Sequence, residues 1–249
     1  MSWNWTKRQM LAAFWPLLGL IVPAGDDRAA EIESSTLIGV VKFDGPRPER
    51  KPIQLKERGG KLSECAKMHA TPPLRENAII SDKGGLGNVF VYVKKGPLKK
   101  TDPVPQKPVV LDQKKCMFRP HVQGIRVGQQ FLMRNSDSVI HNVRSHSLRN
   151  RAFNIAQPAD TPDRKKTFTK GERAIKMKCD IHGWMTAYVF AMEHPFFAVS
   201  DEKGQFKIEG LPAGEYTVAA WHEEFGDQES QITIAASGST EFTLSFKKK

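Results

Sequence analysis

Glycine and proline punctuate the apolar runs of this chain, which are short: 19 Gly and 16 Pro are spread over 249 residues. Runs of that kind suit strands ended by turns. They argue for an all-β sandwich fold against a helical bundle. The length allows one large or two ordinary domains, and 39% hydrophobic residues suffice for a buried core.

The N-terminal segment reads differently. Lys7 and Arg8 precede Met10 to Val22, a stretch with no charge, and Val22-Pro23-Ala24 places small residues for cleavage after Ala24. This order predicts a signal peptide over residues 1–24 and a periplasmic or otherwise exported protein. The alternative is an uncleaved anchor helix, for which the apolar run is short. No cysteine precedes Cys65, so no lipid-attachment cysteine follows that run. No second apolar run approaches membrane-spanning length, so no transmembrane segment is expected in the mature chain.

The net charge is +11, and removal of residues 1–24 takes away only Lys7 and Arg8. The positive charges are scattered in pairs such as Lys94-Lys95 and Lys165-Lys166, with a basic tail from Lys247 to Lys249. Most pairs read as solvated surface. Their functional reading is a redox protein partner with an acidic docking face, or contact with an anionic membrane surface. Nucleic acid is not expected, since no helix-turn-helix or RNA-recognition pattern is present.

Three cysteines, Cys65, Cys116 and Cys179, leave an odd thiol in an oxidising compartment. Cys179 opens the segment Cys179-Asp180-Ile181-His182-Gly183-Trp184-Met185, and His141-Asn142 lies upstream. A thiolate, two imidazoles and a thioether form the ligand set of a blue-copper site, so His141, Cys179, His182 and Met185 are the expected ligands of one type 1 copper. The soft sulfurs favour Cu(I), and imidazole suits both oxidation states. Each residue alone has a duller role: a satisfied histidine, a core methionine, a buried thiol. Cys-x-x-His alone also occurs in zinc sites, but those need further ligands nearby. A c-type haem would need a second cysteine where Ile181 stands.

At these residues the chain resembles the cupredoxin family, in particular its amicyanin- and plastocyanin-like members. Cys179, His182 and Met185 fill the short Cys-x-x-His-x-x-Met loop, and His141 matches the upstream ligand. The resemblance implies a Greek-key sandwich over residues 105–192. It also implies that Asn142 bonds across to the cysteine loop and steadies the thiolate. Gly183 departs from the proline of amicyanins and leaves the loop freer. His182 is the expected electron port, with Trp184 packing over the copper or forming a docking face around it.

Residues 195–246 carry strand-like runs split by Asp201-Glu202-Lys203-Gly204 and Leu211-Pro212-Ala213-Gly214, and they resemble a carboxypeptidase-regulatory-like, transthyretin-like β-sandwich. The opening strands of such a module are found instead near Leu37 to Pro46 and Gly85 to Val93. The expectation is therefore a discontinuous sandwich, residues 35–104 plus 193–246, with the copper domain inserted. The arrangement is similar to exported proteins labelled methylamine-utilisation-like. Cys65 and Cys116 are expected to form a disulfide, the alternative being a second metal site with His121 and His69. Trp221-His222-Glu223-Glu224 reads as a strand end facing solvent, the alternative being a metal-binding segment.

Four protein ligands leave no open position on the metal, which points to single-electron transport and away from an enzyme. Two other readings stay open: copper handling without redox turnover, and a carbohydrate- or protein-binding module carrying copper as a passenger.

Overall fold

The computed structural model describes Met1 and residues 34–56, 62–98 and 103–248. Apart from Met1, the expected signal peptide lies outside the described residues. From residue 34 onward the described residues form an all-β fold. It has no α-helix among the described residues, and only a 3-10 turn at Glu64–Met68 interrupts the strands. No helix of the described residues is long and apolar enough to cross a membrane.

Strand β1 (Ser34–Asp44) shows how pattern becomes structure. Ser35, Leu37, Val41 and Phe43 point inward while Ile38 and Lys42 point out, the two-residue period of a half-buried strand. β1 pairs antiparallel with β13 (Gln205–Pro212) and parallel with β16 (Gly238–Lys247). Opposite this sheet lies another, in the order β12 (Phe197–Val199), β2 (Phe90–Lys95), β14 (Gly214–His222), β15 (Gly226–Ile234). Leu37, Val91, Phe206, Val218 and Phe246 belong to the core between them.

The intervening chain forms a second pair of sheets. One runs β5 (Val122–Arg126), β11 (Thr186–Met192), β10 (Glu172–Lys178), β7 (His141–His146), β8 (Asn154–Gln157). The other runs β4 (Met117–Arg119), β3 (Val109–Lys114), β6 (Gln130–Asn135), β9 (Arg164–Thr167). Leu111, Phe131, Met133, Ile175 and Val189 fill their core, together with Cys179 and Met185.

A third buried cluster links the two pairs of sheets. Phe90 of β2 stacks on Phe190 of β11 with centroids 3.9 Å apart and planes 8° from parallel. Burying such a ring is worth about 2 kcal/mol. Gly124 of β5 is required here, because a Cβ would stand 2.2 Å from the Phe197 ring.

One carboxylate organises the turn after β7. Glu172, buried at the start of β10, accepts hydrogen bonds from the backbone N–H groups of Leu148, Arg149 and Asn150, from Ser147 Oγ and from Asn150 Nδ2. Burial acts against its charge, but these donors outweigh it and hold the carboxyl below the usual carboxylate range. Glu172→Gln is expected to lower unfolding free energy by about 2 kcal/mol at neutral pH, because hydrogen bonds to a charged group are lost. The depressed folded pKa means this stability is present above the ordinary carboxyl range and is lost as pH falls through the folded value. Denaturant unfolding of both proteins at neutral and acid pH checks it. An unchanged midpoint at neutral pH would show that water replaces the carboxylate without loss.

Candidate metal centre

Three strands deliver the candidate ligands. β10 ends at Lys178 and β11 begins at Thr186, so Cys179 to Met185 form the loop of an antiparallel hairpin. β7 pairs with β10 in the register Met177 with Ser145 and Lys178 with Arg144, which brings the start of β7 alongside that loop. The loop closes on itself: the Met185 N–H donates to the His182 carbonyl at 2.9 Å, and the Cys179 N–H to the Met185 carbonyl at 3.3 Å. The His182 N–H points at Cys179 Sγ at 3.4 Å.

Cys179 Sγ and one ring nitrogen from each of His141 and His182 lie within 4.8 Å of one another, a group that could hold a metal ion. The two Nδ1 atoms are 2.9 Å apart, and His182 Nδ1 is 3.8 Å from the sulfur. His141, Cys179 and His182 are 0%, 1% and 6% exposed. Met185 is fully buried in the same apolar cluster as Cys179.

Burial alone would push the Cys179 thiol up. Hydrogen bonds from His141 and His182, and then from the backbone, overcome it and bring the thiol down to about 6. That shift favours the thiolate, the form a metal binds. Burial likewise disfavours charge on His141, and the Asp137 carboxylate and Cys179 outweigh it and raise that imidazole.

Asn142 Oδ1 accepts the Asp180 N–H at 2.7 Å and lies 3.3 Å from Cys179 Sγ, so the side chain reaches across to the cysteine loop. Asp137 has no counterpart among the expected site residues. Its Oδ2 accepts from His141 Nε2 at 2.9 Å, leaving Nδ1 as the nitrogen turned toward Cys179 and His182. The only local sign of this is an acidic residue four places before the histidine. The contact depends on how β6 turns into β7.

Trp184 is half-buried. Its ring lies 5.1 Å from that of His182, and its Nε1–H donates to the Cys116 carbonyl at 3.0 Å. It also packs on the cluster of Ile53, Leu55 and Met117, so residues from the segment before β2 cover one side of the loop. The outer side stays open: Ile181 is 47% exposed, and nothing lies within 4 Å of a Cβ built on Gly183.

Cys65 and Cys116 form a disulfide, which removes Cys116 as a thiolate for a second metal. The remaining members of that alternative go elsewhere. His69 Nε2 meets the Lys115 carbonyl at 2.8 Å, and His121 contacts the Glu223 carboxylate. Tyr188 also bonds to Glu223, and burial followed by that carboxylate raises its phenol. His121, Tyr188 and Glu223 line a cleft of about 960 Å³ beside the loop, which also holds Lys56, Arg75 and Glu224 and is of mixed charge. His222 corrects the reading of residues 221–224 as a solvent-facing strand end. It is 1% exposed and stacks on Phe225 at 4.7 Å, because strand alternation turns it into the core that β1 and β16 cover.

Residues 182–242 match a family model described as polysaccharide lyase family 4, domain II, which is less than half of the chain. No curated protein matches. Among solved structures, a copper-containing nitrite reductase from Thermus scotoductus SA-01 is similar at 20% identity and a TM-score of 0.32, covering 40% of this chain and 25% of that one. The chain thus spans a quarter of that enzyme's length. A purple cupredoxin from Nitrosopumilus maritimus gives 20% identity and a TM-score of 0.29, over 34% of this chain and 98% of that one. Amicyanin from Paracoccus versutus gives 21% and 0.30, over 41% and 97%.

Proposed function

We propose that this chain is an exported type 1 (blue) copper protein that carries single electrons between periplasmic redox partners and is not an enzyme. The observation that carries the reading is the convergence of one cysteine sulfur and two imidazole nitrogens in a buried site. The donor set suits the metal: thiolate and thioether for Cu(I), imidazole for both oxidation states. Copper held there would supply a one-electron couple.

The chain's own residues have distinct tasks. Cys179 offers a thiolate already favoured before any metal arrives. His141 is fully buried and tied from behind by Asp137, so its ring is fixed in direction. His182 keeps a small exposed edge next to Gly183 and Ile181, which makes it the port through which an electron would pass. Met185 is the fourth ligand in this reading, and with all four positions taken by protein no substrate has room to bind the metal. The basic chain favours an acidic docking partner, with association that slows as salt rises.

Titration of the protein with one equivalent of Cu(II) is expected to give an intense thiolate-to-copper visible band. Cys179→Ser should abolish that band while keeping the fold. A weakly absorbing wild type that the substitution leaves unchanged would reject the reading.

A further inference from the structure

The hairpin turn from β3 to β4 lies beside the candidate metal centre and touches it twice. Its two residues, Lys115 and Cys116, have φ of 52° and 53°, the left-handed pair that normally calls for asparagine and glycine. Neither residue favours that conformation, so contacts elsewhere must hold it. Both backbone N–H groups converge on one buried carboxylate: Lys115 N–H donates to Asp137 Oδ1 at 2.6 Å and Cys116 N–H to Oδ2 at 2.7 Å. The Cys65–Cys116 disulfide ties the same turn to the segment before β2, and His69 meets the Lys115 carbonyl.

From this clamped turn two connections run to the metal ligands. Asp137 Oδ2 continues to His141 Nε2 at 2.9 Å. The Cys116 carbonyl holds the indole of Trp184, which sits in the loop between His182 and Met185. Accepting from Nε2 selects the tautomer that leaves Nδ1 free as a ligand, and a carboxylate behind an imidazole makes that ligand more basic.

We infer that Asp137, anchored by the disulfide-clamped Lys115–Cys116 turn, is a positioning residue that fixes the tautomer and direction of His141, while the same turn steadies the loop through Trp184. This rests on the copper-site reading above. The site is therefore aligned from a segment that contributes no ligand.

The test compares wild type, Asp137→Asn and the double substitution Cys65→Ser, Cys116→Ser. In the metal-free proteins at alkaline pH, imidazole ¹⁵N–¹H spectra should show His141 protonated at Nε2 in wild type and as mixed tautomers in Asp137→Asn. Cu(II) affinity, measured by competition with a chelator, should fall 10–100-fold in Asp137→Asn. If Cu(I) affinity is unchanged, a tenfold loss raises the reduction potential by about 59 mV. The double cysteine variant should weaken Cu(II) binding in the same direction. If Asp137→Asn does not fold, the wild-type tautomer and the cysteine variant still decide. Wild-type affinity and an unchanged His141 tautomer in Asp137→Asn overturn the inference. A wild type with no charge-transfer band rejects copper instead, and the metal-free imidazole spectra then judge Asp137 alone.

Discussion

Replacing both Cys65 and Cys116 by alanine is expected to lower unfolding free energy by about 4 kcal/mol. The bond closes a loop with a sequence separation of 51, and loop-closure entropy of that length yields this magnitude. The crosslink lies in the long irregular connection between β1 and β2. Between β1 and β2, residues 45–77 hold isolated bridges such as Pro52 with Leu74, the 3-10 turn, and small apolar contacts of Ile53 and Leu55 on Met117 and of Met68 on the second core, whereas Ala78, Leu86 and Val89 join the first core. Without the crosslink the unfolded chain gains freedom, and the native contacts are left to offset a larger entropy cost. Denaturant unfolding of the oxidised wild type and the double variant measures the difference. A loss under about 1 kcal/mol, well short of what the loop length implies, would mean that packing on Met117 and Trp184 holds the segment unaided.

Acid is expected to destabilise the protein through His222. Burial, the largest influence, brings its imidazole down from 6.5 to about 4; Glu223 acts against the shift and His121 adds to it. The unfolded chain takes up this proton near 6.5 and the folded chain only near 4. Between those values the unfolded state binds more protons, so stability rises with pH across the window and is lost as pH falls through it. The full loss is roughly 3 kcal/mol at 1.36 kcal/mol per pKa unit. His222→Phe keeps the ring stacked on Phe225 and cannot take a proton, though it gives up the bond that Nδ1 accepts from the Glu224 N–H at 3.2 Å. That cost is independent of pH. The stability lost between pH 7 and pH 4.5 should therefore be smaller in the variant than in wild type, on the scale of that linkage. Equal losses in both would show that His222 titrates as a solvated histidine.

The sequence alone determined much of this molecule, and the tertiary structure decided the rest. Alternation of apolar and polar residues marked strands at Ile175–Met177 and Gln205–Ile208, because side chains of a half-buried strand alternate by local geometry, and a short apolar run marked another at Tyr188–Phe190. The spacing Cys179, His182, Met185 likewise marked a single loop, since three-residue intervals let one short turn present several donors. Cys65 and Cys116 stood out as the remaining pair in a chain expected to be exported. Other features come from long-range pairing, which no local period encodes. Asp137 reaches the Lys115–Cys116 turn because β3 pairs parallel with β6, Gln113 beside Asn135, bringing together residues about twenty positions apart. His222 is buried because a strand end exposed in a lone hairpin is covered once β1 and β16 close the core above it. Trp184 is half-covered because the segment around Ile53 folds back over the loop. In each case the residue types allow either environment, and the register and packing of distant strands select one.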